Sequence, residues 1–369
     1  MFCVLVVLYK ISEMITREQV LDALRHVEDP DLKKDLVTLN MIENLVIEGN
    51  KVSFSVVLTT PACPLKDMLE NACRNAIKHF VSQDADIHIH MTSRVTAPQK
   101  QFSAKIKNII VVSSGKGGVG KSTVAANLAV ALSLNGAKTG LIDADIYGPS
   151  VPIMFGLEKA KPLASEVNGK TLIEPIEKYG IKLLSIGFFT DPDQPVPWRG
   201  PMASTAVKQL FNDADWGELD YLVVDLPPGT GDIHITITQG FPISGAVVVT
   251  TPQQVAVADA TKGVGMFMMN AINVPLLGIV ENMSYFTPAE LPDNKYYIFG
   301  KDGGKGMAEK YGVPFLGEIP LVQSVSEAGD SGVPVVLEKE NPISKAFIEL
   351  AQKVAQQVAI SNQNVKNNS

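Results

Sequence analysis

A chain of 369 residues, 46% hydrophobic and 19% charged, has the length for two domains and the composition of a soluble globular protein. Lys and Arg total 32 against 39 Asp and Glu, a formal charge of −7, so no overall field draws it to nucleic acid or to an anionic membrane, and neither is expected as a partner. Cys3, Cys63 and Cys73 are too few and too unevenly spaced for a disulfide framework, which points to a reducing cytoplasm.

In chain order, Met1 to Tyr9 is apolar but far short of the ~20 residues that span a bilayer, and no Lys or Arg precedes it. Residues 1–15 are therefore an extension, with ordered structure expected from near Met14. Thr16-Arg17-Glu18-Gln19 fits a capping box, and Val20, Leu21, Leu24 and Val27 then share one helix face until Asp29-Pro30-Asp31 ends it. Runs from Asn44 to Glu48 and Lys51 to Leu58 flank Gly49-Asn50, a hairpin signal. Leu65 to Phe80 is helical. Ile87, Ile89 and Met91 alternate with His88 and His90 in a last strand, whose histidines have no further ligand candidate nearby and belong on a solvated face. Cys63 sits just before a helix start, where free N–H groups favour a metal-binding thiolate; a packed, inert thiol is the alternative the residues leave open. Cys73, inside the helix, is expected to be packed. Residues 16–91 thus make a small α/β domain.

Residues 92–105 contain Pro98, lack periodicity and read as a linker. From 106 to 360 strands alternate with helices: Asn108 to Val112, Thr139 to Asp143, Ile181 to Ile186, Tyr221 to Asp225, Gly245 to Thr250, Leu276 to Glu281 and Phe315 to Ile319. That order predicts a doubly wound, mostly parallel sheet, followed by a polar and disordered tail at 361–369. Between the first strand and an Ala-rich helix runs Gly115-Lys116-Gly117-Gly118-Val119-Gly120-Lys121-Ser122-Thr123, which matches a phosphate-binding loop and adds Lys116. Its glycines let backbone N–H groups converge on phosphates, Lys121 meets the outer phosphates and Ser122 offers a hydroxyl to Mg2+. Asp225 ends an apolar strand at the sheet's carboxyl edge and suits Mg2+, while Gly229 and Asp232 lie in a loop placed to sense a γ-phosphate. By strand alternation Asp143 and Asp145 face the same way, one to polarise water and one to support the metal; helix capping around Gly148-Pro149-Ser150 is the other reading.

These stretches, with Asp143-Ala144-Asp145-Ile146-Tyr147-Gly148-Pro149-Ser150, Trp198-Arg199-Gly200-Pro201-Met202, Asp225 to Asp232 and Glu281-Asn282-Met283-Ser284-Tyr285, resemble the Mrp/ApbC iron-sulfur cluster carrier ATPases. These are deviant Walker A proteins, P-loop NTPases related to MinD, ParA and Get-type ATPases. The resemblance implies an ATPase that works as a homodimer, with Lys116 reaching the partner's ATP, Asp145 orienting the hydrolytic water, and Asn282 and the segment after Pro320 contacting adenine. It also implies client or scaffold proteins that exchange an iron-sulfur cluster bound transiently. Thr59-Thr60-Pro61-Ala62-Cys63-Pro64 resembles the reactive-cysteine loop of PaaD-like cluster-assembly domains, which casts Cys63 as the cluster ligand. One departure stands out: many members carry Cys-x-x-Cys after the Asn-Met-Ser segment, and here no cysteine follows Cys73. Thr and Glu replace thiolates poorly. Two rival readings remain: a ParA- or MinD-like positioning switch, and an ATP-gated thiol adaptor without a stable cluster. A final helix with Ile343, Phe347, Leu350, Ala351, Val354 and Val358 for packing and only Lys345 and Lys353 as bases is a weak membrane anchor.

Overall fold

The computed structural model describes residues 15–97, 105–167, 169–190, 197–288, 290–291, 293–339 and 341–367. Cys3, the apolar start and Pro98 lie outside them. The chain divides into two compact units, one reaching to Thr59 and resuming at Leu65–Arg94, the other made of Thr60–Pro64 and everything from Val95.

The small unit contains α1 (Arg17–Leu24), β1 (Glu28–Asp29), β2 (Lys34–Asp35), β3 (Ile42–Glu48), β4 (Lys51–Leu58), α2 (Lys66–Phe80) and β5 (Asp86–Ser93). The capping box forms as expected, Gln19 N donating to Thr16 Oγ1 and Thr16 N to Gln19 Oε1. The helix nevertheless stops at Leu24, short of Asp29-Pro30-Asp31. The reason is competition: Val27 O accepts Leu36 N, β1 pairs with β2, and Asp29 Oδ1 takes the N–H groups of Asp31 and Leu32. β3 and β4 form the hairpin, with Gly49 at φ 62° supplying the turn that other residues adopt with strain. β5 then adds parallel to β4 through the α2 crossover. Phe54, Leu69, Cys73 and Ile77 fill the core, while His88 and His90 stay exposed. β5 runs to Ser93, so the first two residues of the expected linker are strand.

The large unit contains β6 (Ile106–Ser114), α3 (Lys121–Leu134), β7 (Thr139–Asp143), α4 (Val151–Met154), β8 (Ala164–Val167), β9 (Lys170–Ile173), β10 (Ile176–Lys178), β11 (Ile181–Ser185), α5 (Gly200–Asn212), β12 (Leu219–Asp225), α6 (Asp232–Gly240), β13 (Gly245–Thr250), α7 (Gln254–Met268), β14 (Leu276–Phe286), α8 (Gly303–Tyr311), β15 (Phe315–Leu321), α9 (Gln323–Asp330) and α10 (Pro342–Asn367). Eight strands order as β10-β11-β7-β12-β6-β13-β14-β15, parallel throughout except for β10 at the edge. Strands β8, β9 and β10 are additions that no periodicity announced. The chain lays β7 and β11 on one side of β6, inserts β12, and from β13 builds on the other side; the crevice at the carboxyl end of such a reversal is where open α/β sheets bind ligands.

Each sheet face has its own apolar layer. One packs α3 and α10, with Leu128, Phe347 and Val354 fully buried, and the other packs α5 to α8, with Phe211, Ile237 and Phe267. All six apolar residues of the final helix named above are core residues, at most 4% exposed. The tail expected beyond residue 360 is corrected by this packing: α10 continues to Asn367. Asn362, 3% exposed, donates to Asn108 Oδ1 at 3.0 Å, so a polar residue earns its burial by a buried partner on β6. Among the described residues no helix is long and apolar enough to cross a membrane.

Candidate functional site

The loop between β6 and α3 is shaped by close backbone approaches. A Cβ on Gly115 would lie 2.1 Å from the Asp259 backbone carbon of α7, and one on Gly120 would meet the Asn282 side chain at 2.2 Å. Gly118 and Gly120 also hold φ of 83° and 79°. No side chain caps α3, so its first N–H groups are left for an anion. The cavity in front of the loop, about 400 Å³, is lined by Lys116, Gly117, Gly118, Gly120, Lys121, Ser122 and Thr123, joined by Asp145. Gly115 and Val119 stand behind it as packing.

Lys121 is 6% exposed, with Nζ 2.7 Å from Asp225 Oδ1 and 3.4 Å from Asp145 Oδ2, and it donates to Ser122 Oγ at 3.2 Å. Burial works against its charge, but Asp225 and Asp145 prevail and raise its pKa. Asp225 is fully buried; burial raises its pKa while Lys121 and Ser122 pull it back toward the charged form. Among the described residues its second oxygen, Oδ2, has no partner at hydrogen-bonding geometry. An orphaned carboxylate oxygen next to a serine hydroxyl is the donor set Mg2+ takes beside phosphates, so Ser122 and Asp225 fit that ion.

Asp143 does not join them. β7 ends at Asp143, so alternation no longer relates it to Asp145. Asp143 Oδ1 accepts Asp145 N, and Oδ2 accepts Val151 N at 3.2 Å and Ser185 Oγ at 2.9 Å. It is wholly buried and anchors the turn into α4, the capping alternative. Burial, then the Asp225 carboxylate facing it across the β7–β12 register, push its pKa up to about 7. Asp145 is the residue that reaches the cavity.

The loop after β12 contributes Pro228 to the wall, whereas Gly229 and Asp232 lie outside it. Gly229 N donates to Ser114 O at 2.8 Å, and Ser114 Oγ donates to Lys116 O at 3.0 Å, so one serine links that loop to the extra lysine. Lys116 is half-buried and makes no ion pair among the described residues. Of the two expected adenine contacts, the segment after Pro320 does reach the cavity, through Val325, Ser326, Gly329 and Asp330. Asn282 instead donates to Val119 O at 2.8 Å and grips the loop from behind. Its neighbour Glu281, fully buried, accepts Ser284 Oγ and Gly304 N at the start of α8. The Glu-Asn-Met-Ser pattern carried that signal, since an acid next to a polar pair inside an apolar strand demands partners.

Cys63 is half-buried in the Thr60–Pro64 loop; Cys73 is fully buried, and burial followed by Glu70 pushes its thiol up to about 12. Among the described residues no group of three or more His, Cys, Asp or Glu is arranged to hold a metal ion.

Two family models match successive parts of the chain. Residues 105–355 match the model of the NUBPL iron-transfer P-loop NTPase, and residues 17–89 that of the iron-sulfur cluster assembly protein. The chain is 47% identical over 353 residues to the iron-sulfur cluster carrier protein of Synechocystis sp., covering 94% of this chain and 99% of that one. It is 42% identical to the iron-sulfur cluster transfer protein NUBPL of Dictyostelium discoideum, over 84% of this chain and 95% of the relative. Among solved structures, a nucleotide-binding protein from Archaeoglobus fulgidus in complex with ADP is 38% identical with a TM-score of 0.55, covering 64% of this chain and 90% of its own.

Proposed function

The chain belongs to the NUBPL iron-transfer P-loop NTPase family, and on that premise we propose that it binds and hydrolyses Mg-ATP in order to carry iron-sulfur clusters to client proteins. The nucleotide half is carried by one observation: the glycines of the loop, Lys121, Ser122 and Asp145 line a single cavity whose second lysine, Lys116, makes no ion pair among the described residues. Lys121 steadies the outer phosphates, Asp145 orients the attacking water, and Ser122 and Asp225 would hold Mg2+, which would supply charge neutralisation at the phosphates. Lys116 acts across a homodimer on the partner's nucleotide, a charge supplied in trans. The place of work is the cytoplasm.

The cargo half is supported by the relatives' names and by Cys63. Of the two cysteines among the described residues, Cys73 is deep in a helix with its thiol held protonated, so Cys63 is the thiolate that takes the cluster. With one such thiolate per chain among the described residues, the cluster is labile, shared between chains and completed by a client or a small thiol. Anaerobic reconstitution of the full chain, read by absorbance and by iron and sulfide analysis, tests this. Cys63→Ser should lose most iron and sulfide and keep ATP turnover. A stable stoichiometric cluster on Cys63→Ser overturns the thiol assignment, and iron without sulfide on the native chain would leave an ATP-gated thiol adaptor.

A further inference from the structure

The loop after β12 is held on its P-loop side by Gly229 and Ser114. On its other side stands His234, in the first turn of α6. It is 1% exposed, and among the described residues neither ring nitrogen has a partner at hydrogen-bonding geometry. The backbones of Pro227 and Gly231, the two ends of the loop, are near enough to favour a proton on the ring without completing a well-aligned bond to it. Burial, then the Lys121 charge, keep the ring neutral, so it carries one N–H donor and one acceptor nitrogen. Its helix neighbours Ile233 and Ile237 are buried and apolar, and an apolar side chain at 234 would fill such a place without leaving polar atoms orphaned. A small movement of the loop would bring the Pro227 or Gly231 carbonyl into line with the ring N–H.

We propose that His234 is a positioning residue for the loop Pro227–Gly231: it donates its ring N–H to a carbonyl of that loop when the loop closes on a terminal phosphate, and thereby makes the cavity favour nucleoside triphosphate over diphosphate. This rests on the nucleotide reading of the cavity. His234 acts through the loop and touches no nucleotide itself.

Calorimetric affinities for ADP and for a non-hydrolysable ATP analogue, with steady-state turnover, test it in the full chain and in His234→Leu and His234→Gln. The native chain should prefer the triphosphate. His234→Leu should keep its ADP affinity and lose about five- to tenfold in triphosphate preference, the factor one net hydrogen bond supplies, with kcat falling in step. His234→Gln retains an N–H donor and should recover most of both. An unchanged preference in His234→Leu, or equal losses for both nucleotides in both variants, overturns the proposal. If His234→Leu does not fold, the ring N–H resonance of the native chain decides: it must shift between the ADP and analogue complexes, and a fixed resonance overturns the proposal. A native chain that binds neither nucleotide fails at the cavity reading itself, which separates the two failures.

Discussion

The phosphate loop and the stretch that follows Ser284 leave the same carboxyl edge of the sheet and are built on different terms. In the loop, backbone decides: Gly115 is pressed against α7, Gly118 and Gly120 hold positive φ, and the Val119 carbonyl is gripped by Asn282. Beyond Ser284 one backbone bridge, Phe286 with Tyr296, holds the stretch, and side chains do the rest. In that stretch Lys295 lies 3.8 Å from the Tyr285 ring centroid and Lys301 lies 5.0 Å from that of Tyr297, with Tyr296 and Ile298 exposed. A site made of backbone N–H groups constrains every residue around it, whereas a site made of side-chain ligands can be replaced without disturbing the fold.

The largest expected effect breaks the loop at its charge. Lys121→Ala should abolish Mg-ATP binding by calorimetry and also cost about 3–5 kcal/mol of stability, because it strands the buried Asp225 carboxylate. Adding Asp225→Asn should restore the melting temperature and leave binding absent; retained affinity in Lys121→Ala would overturn the site. Asp145→Ala should lower kcat by about 10²–10⁴ with ATP affinity changed only severalfold. Asp143→Asn should lower stability and spare turnover, since Asp143 is occupied by Val151 and Ser185. The reverse pattern would exchange the two roles.

The pH dependence isolates His234. Its pKa falls from 6.5 in the unfolded chain to about 4 in the fold. Between those values the unfolded state binds the extra proton, so stability is lost as pH drops from 6.5 to 4, by up to about 3 kcal/mol. Asp143, raised to about 7, works in the opposite sense, since the folded state there binds the extra proton and stability falls as pH rises from 3.8 to 7. The measurement is therefore a difference: melts of native chain and His234→Gln should converge toward pH 4, and parallel curves would refute the assignment. Smallest is Asn282→Ala, which should weaken nucleotide binding about five- to tenfold by releasing Val119. Equal losses for ATP and GTP follow from a grip on the loop; a loss confined to ATP would return Asn282 to the adenine.

The sequence by itself determined the phosphate loop, the strands on which its partners sit and the mostly parallel character of the large sheet, because glycine spacing, buried β-branched runs and capping residues act over a few neighbours. It also placed Asp145 and Asp225 in the same chemistry through their motifs. Only the tertiary structure decided which carboxylate reaches the cavity. β7 and β12 set Asp143 opposite Asp225, and Ser185, 42 residues away, consumes one of its oxygens. The early end of α1, the continuation of α10 beyond residue 360 and the turn of Asn282 toward Val119 likewise depend on partners distant in sequence: Leu36, Asn108 and the loop itself. A buried polar side chain takes its role from whatever hydrogen-bonding partner the fold brings within about 3 Å, and that distance is set by sheet register and helix packing.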